Sequence, residues 1–194
     1  MFITTILFLP DFSYSSEFFE LNGKNYELNE IDIRKEIGCD SKFYEYIVVG
    51  IKDTKSNELV WSWPEFKEVR EYWKKNKECG GSGFHTNKIK HLWNRSGFVD
   101  FIVVGQDCGA SCTPHSVTIL RFDGHKVTKI KQFSADGLEL DIERDKMVAI
   151  FKIYEGQCRP CPHRWTRVTY KWDGSTYRKI KSEETEEESN TSPW

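Results

Sequence analysis

The sequence predicts a mainly β protein of the α+β kind: an antiparallel meander sheet or partly closed barrel, built from near-repeats of about 50 residues. Three observations predict this class. Aromatic residues are abundant, with seven Trp, eight Tyr and thirteen Phe, and many lie in segments of period two, as cross-strand pairs in sheets require. Asp-Gly turn signals separate these segments. The stretch that starts at Phe101 recurs, with a close cysteine pair at the same point, from Phe151.

The near-repeat aligns strands, cysteines and turns in the same order. The first copy runs through Phe101, Cys108, Cys112, Asp123-Gly124 and Lys131, and the second through Phe151, Cys158, Cys161, Asp173-Gly174 and Lys181. A degenerate earlier copy is predicted to begin at Tyr46, because residues 46–50 parallel residues 101–105. A propeller is the less favoured interpretation, since at most three units are present and propellers normally have four or more blades.

The first full unit is predicted to be a four-stranded meander. Asp123-Gly124 indicates a tight hairpin, because Gly tolerates the positive φ that a two-residue turn demands, and Asp136-Gly137 indicates a second turn. The predicted strands of this unit are Phe98–Gly105, Ser116–Phe122, Val127–Phe133 and Leu138–Glu143. The second unit is one strand shorter and comprises Met147–Tyr154, Arg164–Trp172 and Thr176–Lys181.

A helical insertion is predicted at residues 64–95, between the first and second units. Pro64 suits the first turn of a helix, and apolar residues follow at spacings of three to four. A second, shorter helix is predicted over Asn87–Trp93, with Ile89, Leu92 and Trp93 against the sheet. The insertion therefore covers one side of the predicted sheet.

The domain organisation is predicted to be a single β-rich domain at 16–181, flanked by two segments. Residues 182–194 are interpreted as an acidic, disordered tail, because five Glu lie there with no apolar residue before Trp194. Those five belong to the 30 acidic residues, so 25 remain against 28 basic ones in the rest of the chain. A balance so close to neutrality gives no case for nucleic-acid binding.

Residues 1–15 are interpreted either as a truncated signal segment or as an N-terminal strand. The apolar run has nine residues before Pro10, too few to cross a bilayer, and it lacks the basic residues with which signal peptides begin. No transmembrane segment is therefore expected. Six cysteines in a β-rich chain favour an oxidising compartment, so a secreted or periplasmic location is expected.

The cysteines are the candidate site residues, and two chemistries compete for them. Disulfides Cys108–Cys112 and Cys158–Cys161 would each pin one loop, with crossed disulfides or free thiols as less favoured states of the same four cysteines. Cys39 and Cys79 would either form a disulfide that ties the insertion to the core or be two separate buried thiols. The alternative is zinc, because both close pairs have the spacing of zinc knuckles and the sequence brings two histidines near them; its ligands would come from Cys108, Cys112, Cys158, Cys161, His115 and His163. Redox catalysis is disfavoured, since Pro162 and an alternating strand follow Cys161 where a helix would be needed.

The expected function is non-catalytic binding or structural support. The sequence contains no nucleophile elbow, phosphate-binding glycine loop or dinucleotide fingerprint. The expected partner is an unidentified macromolecule, taken to be a protein, and no cofactor is expected apart from zinc in the alternative hypothesis.

Overall fold

The computed structural model describes residues 16–33, 46–65, 71, 85–106, 115–153 and 164–185. This part of the chain is mainly β. The strands are β1 (Ser16–Leu21), β2 (Lys24–Asp32), β3 (Tyr46–Asp53), β4 (Leu59–Trp63), β5 (His85–Arg95), β6 (Phe98–Gln106), β7 (His115–Phe122), β8 (Val127–Ala135), β9 (Gly137–Asp141), β10 (Lys146–Ile153), β11 (Arg164–Trp172) and β12 (Tyr177–Thr185). No helix among these residues is long and apolar enough to cross a membrane.

The strands form three consecutive antiparallel meanders of four strands each: β1–β4, β5–β8 and β9–β12. A short parallel pairing, Tyr46 with His85 and Ile47 with Thr86, joins the first two meanders into an eight-stranded sheet. The third meander is a separate sheet with the order β12-β11-β10-β9. The prediction of an antiparallel meander architecture is confirmed at this level.

The middle meander is packed on both faces. Successive strand residues point to opposite faces, so Phe101 lies in the core shared with the first meander and Ile102 in the core shared with the third. The eight-stranded sheet also curls back on itself, because Phe122 on β7 packs edge-on against Tyr26 on β2, with ring centroids 5.1 Å apart. Among the described strands, β1 and β8 are the two ends of this sheet and do not pair with each other, so these strands do not form a closed barrel.

The Asp-Gly hairpin predicted between β7 and β8 is confirmed, and the same device joins β11 to β12. Asp123 Oδ1 accepts hydrogen bonds from the backbone N–H groups of His125 and Lys126, both at 2.9 Å. The glycines that follow the two aspartates have the positive φ that the turn requires, 93° at Gly124 and 99° at Gly174.

The predicted helix at Asn87–Trp93 is wrong, because these residues lie in β5. A register shift between Ile89 and His91 makes Lys90 a bulge residue in the pairing with β6. The bulge brings Ile89 and Leu92, three positions apart, into the same core. A spacing of three residues is also typical of one face of a helix, which is why the sequence pattern predicted a helix here. Of the first predicted helix, most lies outside the described residues, which resume after Glu65 only at Glu71 and His85.

The predicted end of the first full unit is also wrong. The strand at Leu138 belongs to the third meander, where β9 pairs with β10. Asp136 donates its backbone N–H to the Ile150 carbonyl at 2.8 Å, so residues 135–137 carry the chain from one sheet to the other instead of forming a hairpin. The structure therefore supports three meanders but does not confirm the near-repeat.

The boundary predicted for the acidic tail is too early. β12 runs to Thr185, which pairs with Trp165, and Arg164 Nη1 lies 2.8 Å from Glu184 Oε2. Ser182–Thr185 are thus part of the third meander, because cross-strand hydrogen bonds and this ion pair hold residues whose composition alone suggests disorder. Residues 1–15 and 186–194 lie outside the described residues.

Candidate functional site

All four cysteine-bearing segments are attached to strand termini at one end of the molecule. Register shows that these termini lie together within the eight-stranded sheet: Asp32 pairs with Ile47, Tyr46 with His85, and Thr86 with Gln106. β4 ends at Trp63, which pairs with Val49 near the same end of β3. The segments that start and finish here are 34–45 with Cys39, 66–84 with Cys79, 107–114 with Cys108 and Cys112, and 154–163 with Cys158 and Cys161. We call this end the cysteine end.

The third meander presents its cysteine-bearing segment at this end as well. His115, at the start of β7, pairs with Ala135, and the crossing that follows pairs Gly137 with Ile150. Ile150 precedes the end of β10 at Ile153 by three residues, or roughly 10 Å of strand. The two segments that carry the close cysteine pairs therefore leave from neighbouring termini.

The opposite end, which we call the turn end, carries only short connections. Tight turns or loops of a few residues join β1 to β2, β3 to β4, β5 to β6, β7 to β8, β9 to β10 and β11 to β12. The two ends of the molecule thus differ: the long connecting segments lie at the cysteine end, and the turn end has short connections alone.

His115 is the one predicted zinc ligand that the structure describes. It is buried, and burial lowers the pKa of its imidazole, with the nearby Lys90 charge acting in the same direction and Asp136 opposing. A neutral imidazole is the form that binds metal ions. The described residues contain no group of three His, Cys, Asp or Glu side chains able to hold a metal. Cys39, Cys79, Cys108, Cys112, Cys158, Cys161 and His163 lie outside the described residues.

At the turn end the structure brings together charged residues that the sequence analysis did not single out. Asp100 on β6 has no solvent exposure. Its carboxylate accepts two hydrogen bonds from Arg121, at 2.8 and 3.1 Å, and lies 3.8 Å from Arg95 Nε. The one sequence signal for this role is a lone acidic residue inside the apolar run of β6.

The same cluster extends into the third meander. Arg95 donates two hydrogen bonds to Asp145, at 2.7 and 2.9 Å, and one to the Tyr177 hydroxyl at 3.2 Å. Both guanidinium groups lie over the ring of Trp172, at 4.8 Å for Arg95 and 5.0 Å for Arg121. Burial raises the pKa of Tyr177 well above its ordinary value, so the hydroxyl stays protonated. We call these residues the arginine cluster: Arg95, Asp100, Arg121, Asp145, Trp172 and Tyr177.

The arginine cluster is a structural clamp between layers. Each guanidinium forms a two-hydrogen-bond pair with its own carboxylate, so no cationic group in the cluster is left over for an anionic ligand.

A shallow depression of about 400 Å³ lies on the first meander, between β1, β2 and the loop after β3. Its lining is Phe18, Phe19, Glu20, Asn25, Tyr26 and Thr54.

Comparison with known proteins finds no matching family model, no matching curated protein and no matching solved structure.

Proposed function

We propose that this chain is a non-catalytic, extracytoplasmic binding domain that contacts another protein through its cysteine end. The proposal rests on the difference between the two ends of the molecule: the three-layer β scaffold anchors its long connecting segments at one end. Binding residues are disproportionately found on loops that a rigid scaffold positions, which is the arrangement proposed here. The secreted or periplasmic location follows from the six cysteines and remains part of the proposal.

Orientation on a solid support tests which end binds. A bio-orthogonal attachment at Lys55, exposed at the turn end, leaves the cysteine end free, whereas attachment at Ser134, exposed near the cysteine end, blocks it. We expect saturable binding of a protein from the extracellular fluid of the source organism to the Lys55-attached chain and loss of that binding when Ser134 is used. Equal binding in both orientations, or none in either, would contradict the proposal.

The alternative function is zinc binding by the paired cysteines, and one specific observation favours it. The segments with Cys108, Cys112, Cys158 and Cys161 leave from neighbouring termini, beside the buried His115. Zinc prefers four tetrahedral ligands of this kind.

Mass spectrometry separates disulfides from zinc. Under denaturing, non-reducing conditions each disulfide removes two hydrogens from the mass, whereas a zinc site leaves the thiols intact and adds the metal under native conditions. Disulfides at both close pairs would eliminate the zinc alternative and support the extracytoplasmic location. Intact thiols with one bound zinc would eliminate the disulfides Cys108–Cys112 and Cys158–Cys161.

A finer architectural proposal accompanies this function. We infer that the second and third meanders derive from one repeated unit, since β6, β7 and β8 occupy the same places in their meander as β10, β11 and β12 do in theirs. The shared position of the close cysteine pairs, between the second and third strands of each meander, supports this inference.

A further inference from the structure

The outer edge of β12 is unpaired among the described strands. β12 is the last strand of its sheet, and no described strand pairs with it on the side away from β11. All its residues from Arg178 to Glu184 are exposed. Along such an edge, alternate backbone N–H and C=O groups point outward, ready to pair with another strand.

The charges along β12 are divided by sign. Its first half carries Arg178, Lys179 and Lys181, and its second half carries Glu183 and Glu184. The other edge strands in the described part of the chain are different. β1 and β9 carry only acidic charges, β8 carries only lysines and β4 carries none. Pairing either of the acidic edges or the lysine edge with its own copy would oppose like charges, which destabilises a sheet.

We propose that two copies of this chain associate by antiparallel pairing of β12 with β12, about a two-fold axis at Ser182. The register within the sheet fixes which side chains share a face. Lys181 and Glu183 pair with Thr169 and Arg167 and lie on one face of the sheet, while Lys179 and Glu184 pair with Tyr170 and Thr166 and lie on the other.

The β-bulge in β12 allows the two-fold arrangement to place opposite charges against each other on both faces of the sheet. The pairing passes from Lys179 to Lys181, which leaves Ile180 as the extra residue. With the axis at Ser182, Lys181 faces Glu183 of the second copy on one face. Because Ile180 is skipped, Lys179 then faces Glu184 of the second copy on the other face. By symmetry each contact occurs twice, so four opposite-charge pairs line the seam and two four-stranded sheets become one of eight strands.

Mass measurement in solution tests the pairing. We expect light scattering to give twice the 22.8 kDa chain mass at high concentration, with no covalent dimer by denaturing mass spectrometry. Lys181→Glu and Glu183→Lys should each raise the dimer dissociation constant roughly tenfold or more, because one change converts two attractive pairs into repulsive ones. Lys129→Glu on the edge strand β8 is the matched control and should leave the dissociation constant unchanged.

Mixing the two variants provides the decisive measurement. The Lys181→Glu chain carries two acidic residues where the Glu183→Lys chain carries two lysines, so the mixture should form a heterodimer with restored affinity. Failure of the mixture to associate more tightly than either variant alone would overturn the proposal. So would a wild-type chain that stays monomeric at all concentrations, as an edge protected by charge would. Growth of the mass beyond a dimer would also overturn it and indicate head-to-tail pairing of β1 with β8.

Discussion

Asp100 illustrates how single residues hold the layers together. A carboxylate without solvent exposure is costly unless charged hydrogen-bond donors surround it, and here Arg121 supplies two hydrogen bonds while Arg95 lies at 3.8 Å. Arg95 reaches in turn to Asp145 and Tyr177 in the third meander. Asp100 and Arg121 are direct partners across β6 and β7, so their pairing is set within one sheet, whereas the bonds of Arg95 to Asp145 and Tyr177 join that sheet to the third meander.

Asp100→Asn should destabilise the fold by about 3 kcal/mol, because it leaves the partly buried Arg121 guanidinium without its carboxylate and removes a second negative charge near Arg95. Asp145→Asn is the matched control: it removes a partner of the same Arg95, but that carboxylate is 32% exposed, so the expected loss is about 1 kcal/mol. Urea unfolding followed by circular dichroism measures both. Equal losses at the two positions would show that burial does not set the cost.

At the scale of elements, the hairpins are defined by short-range chemistry. Asp173 Oδ1 accepts hydrogen bonds from the backbone N–H groups of Ser175 and Thr176, both at 2.9 Å, and Gly174 supplies the positive φ. Asp123 forms the same turn between β7 and β8. Such turns were predictable because every group involved lies within four consecutive residues.

The Asp173 turn should make stability depend on pH in acid. Backbone hydrogen bonds from Thr176 and Ser175 lower the pKa of Asp173 from 3.8 to about 2. The folded state therefore favours the charged form, and this contribution is complete above about pH 4 and is lost as the pH falls towards 2. We expect the unfolding temperature of Asp173→Asn to fall less than that of the wild type between pH 4 and pH 2, as measured by calorimetry.

The asparagine side chain keeps an oxygen acceptor for the turn but does not titrate. Asp173→Ala, which removes the acceptor, should lower the unfolding temperature relative to the wild type even at neutral pH. A wild-type and an Asp173→Asn profile of identical slope in acid would contradict the assignment.

On the scale of the whole molecule, the middle meander makes the three layers interdependent. Phe101 and Ile102 are neighbours in β6, yet each is buried in a different core. A disturbance at either position is therefore transmitted to a strand that both cores need. This is the physical basis for proposing that the described meanders form one cooperative domain.

Phe101→Ala and Ile102→Ala should each destabilise that one domain, by about 4 and about 3 kcal/mol, through lost burial and the cavity left behind. We expect a single unfolding transition in wild type and in both variants, with tryptophan fluorescence and circular dichroism coincident. Ile142→Ala, at a residue 52% exposed, serves as the control and should change stability by less than about 0.5 kcal/mol. Two separate transitions, one sensitive to each variant, would show that the layers fold independently.

Sequence periodicity predicted the strands wherever the alternation was regular. It failed at β5, where the bulge at Lys90 placed Ile89 and Leu92 on one face, and at β9, where the strand follows β8 closely but joins another sheet. Both errors arise because period and turn signals are local, whereas a bulge and a change of sheet depend on the partner strand. The arginine cluster was missed for a related reason: Asp100 meets Arg121 through strand pairing, and Asp145, Trp172 and Tyr177 join them only when the third meander packs on that sheet.

The sequence by itself therefore determined the mainly β class, most strands from β6 onward and the Asp-Gly hairpins, since these depend on side-chain alternation and on φ preferences within a few residues. Tertiary structure alone decided that the strands form three meanders in two sheets, that both faces of the middle meander are buried, and that the termini of every cysteine-bearing segment share one end. The reason is physical: strand partners and layer contacts are chosen by burial of apolar surface across long sequence separations, which no local pattern records.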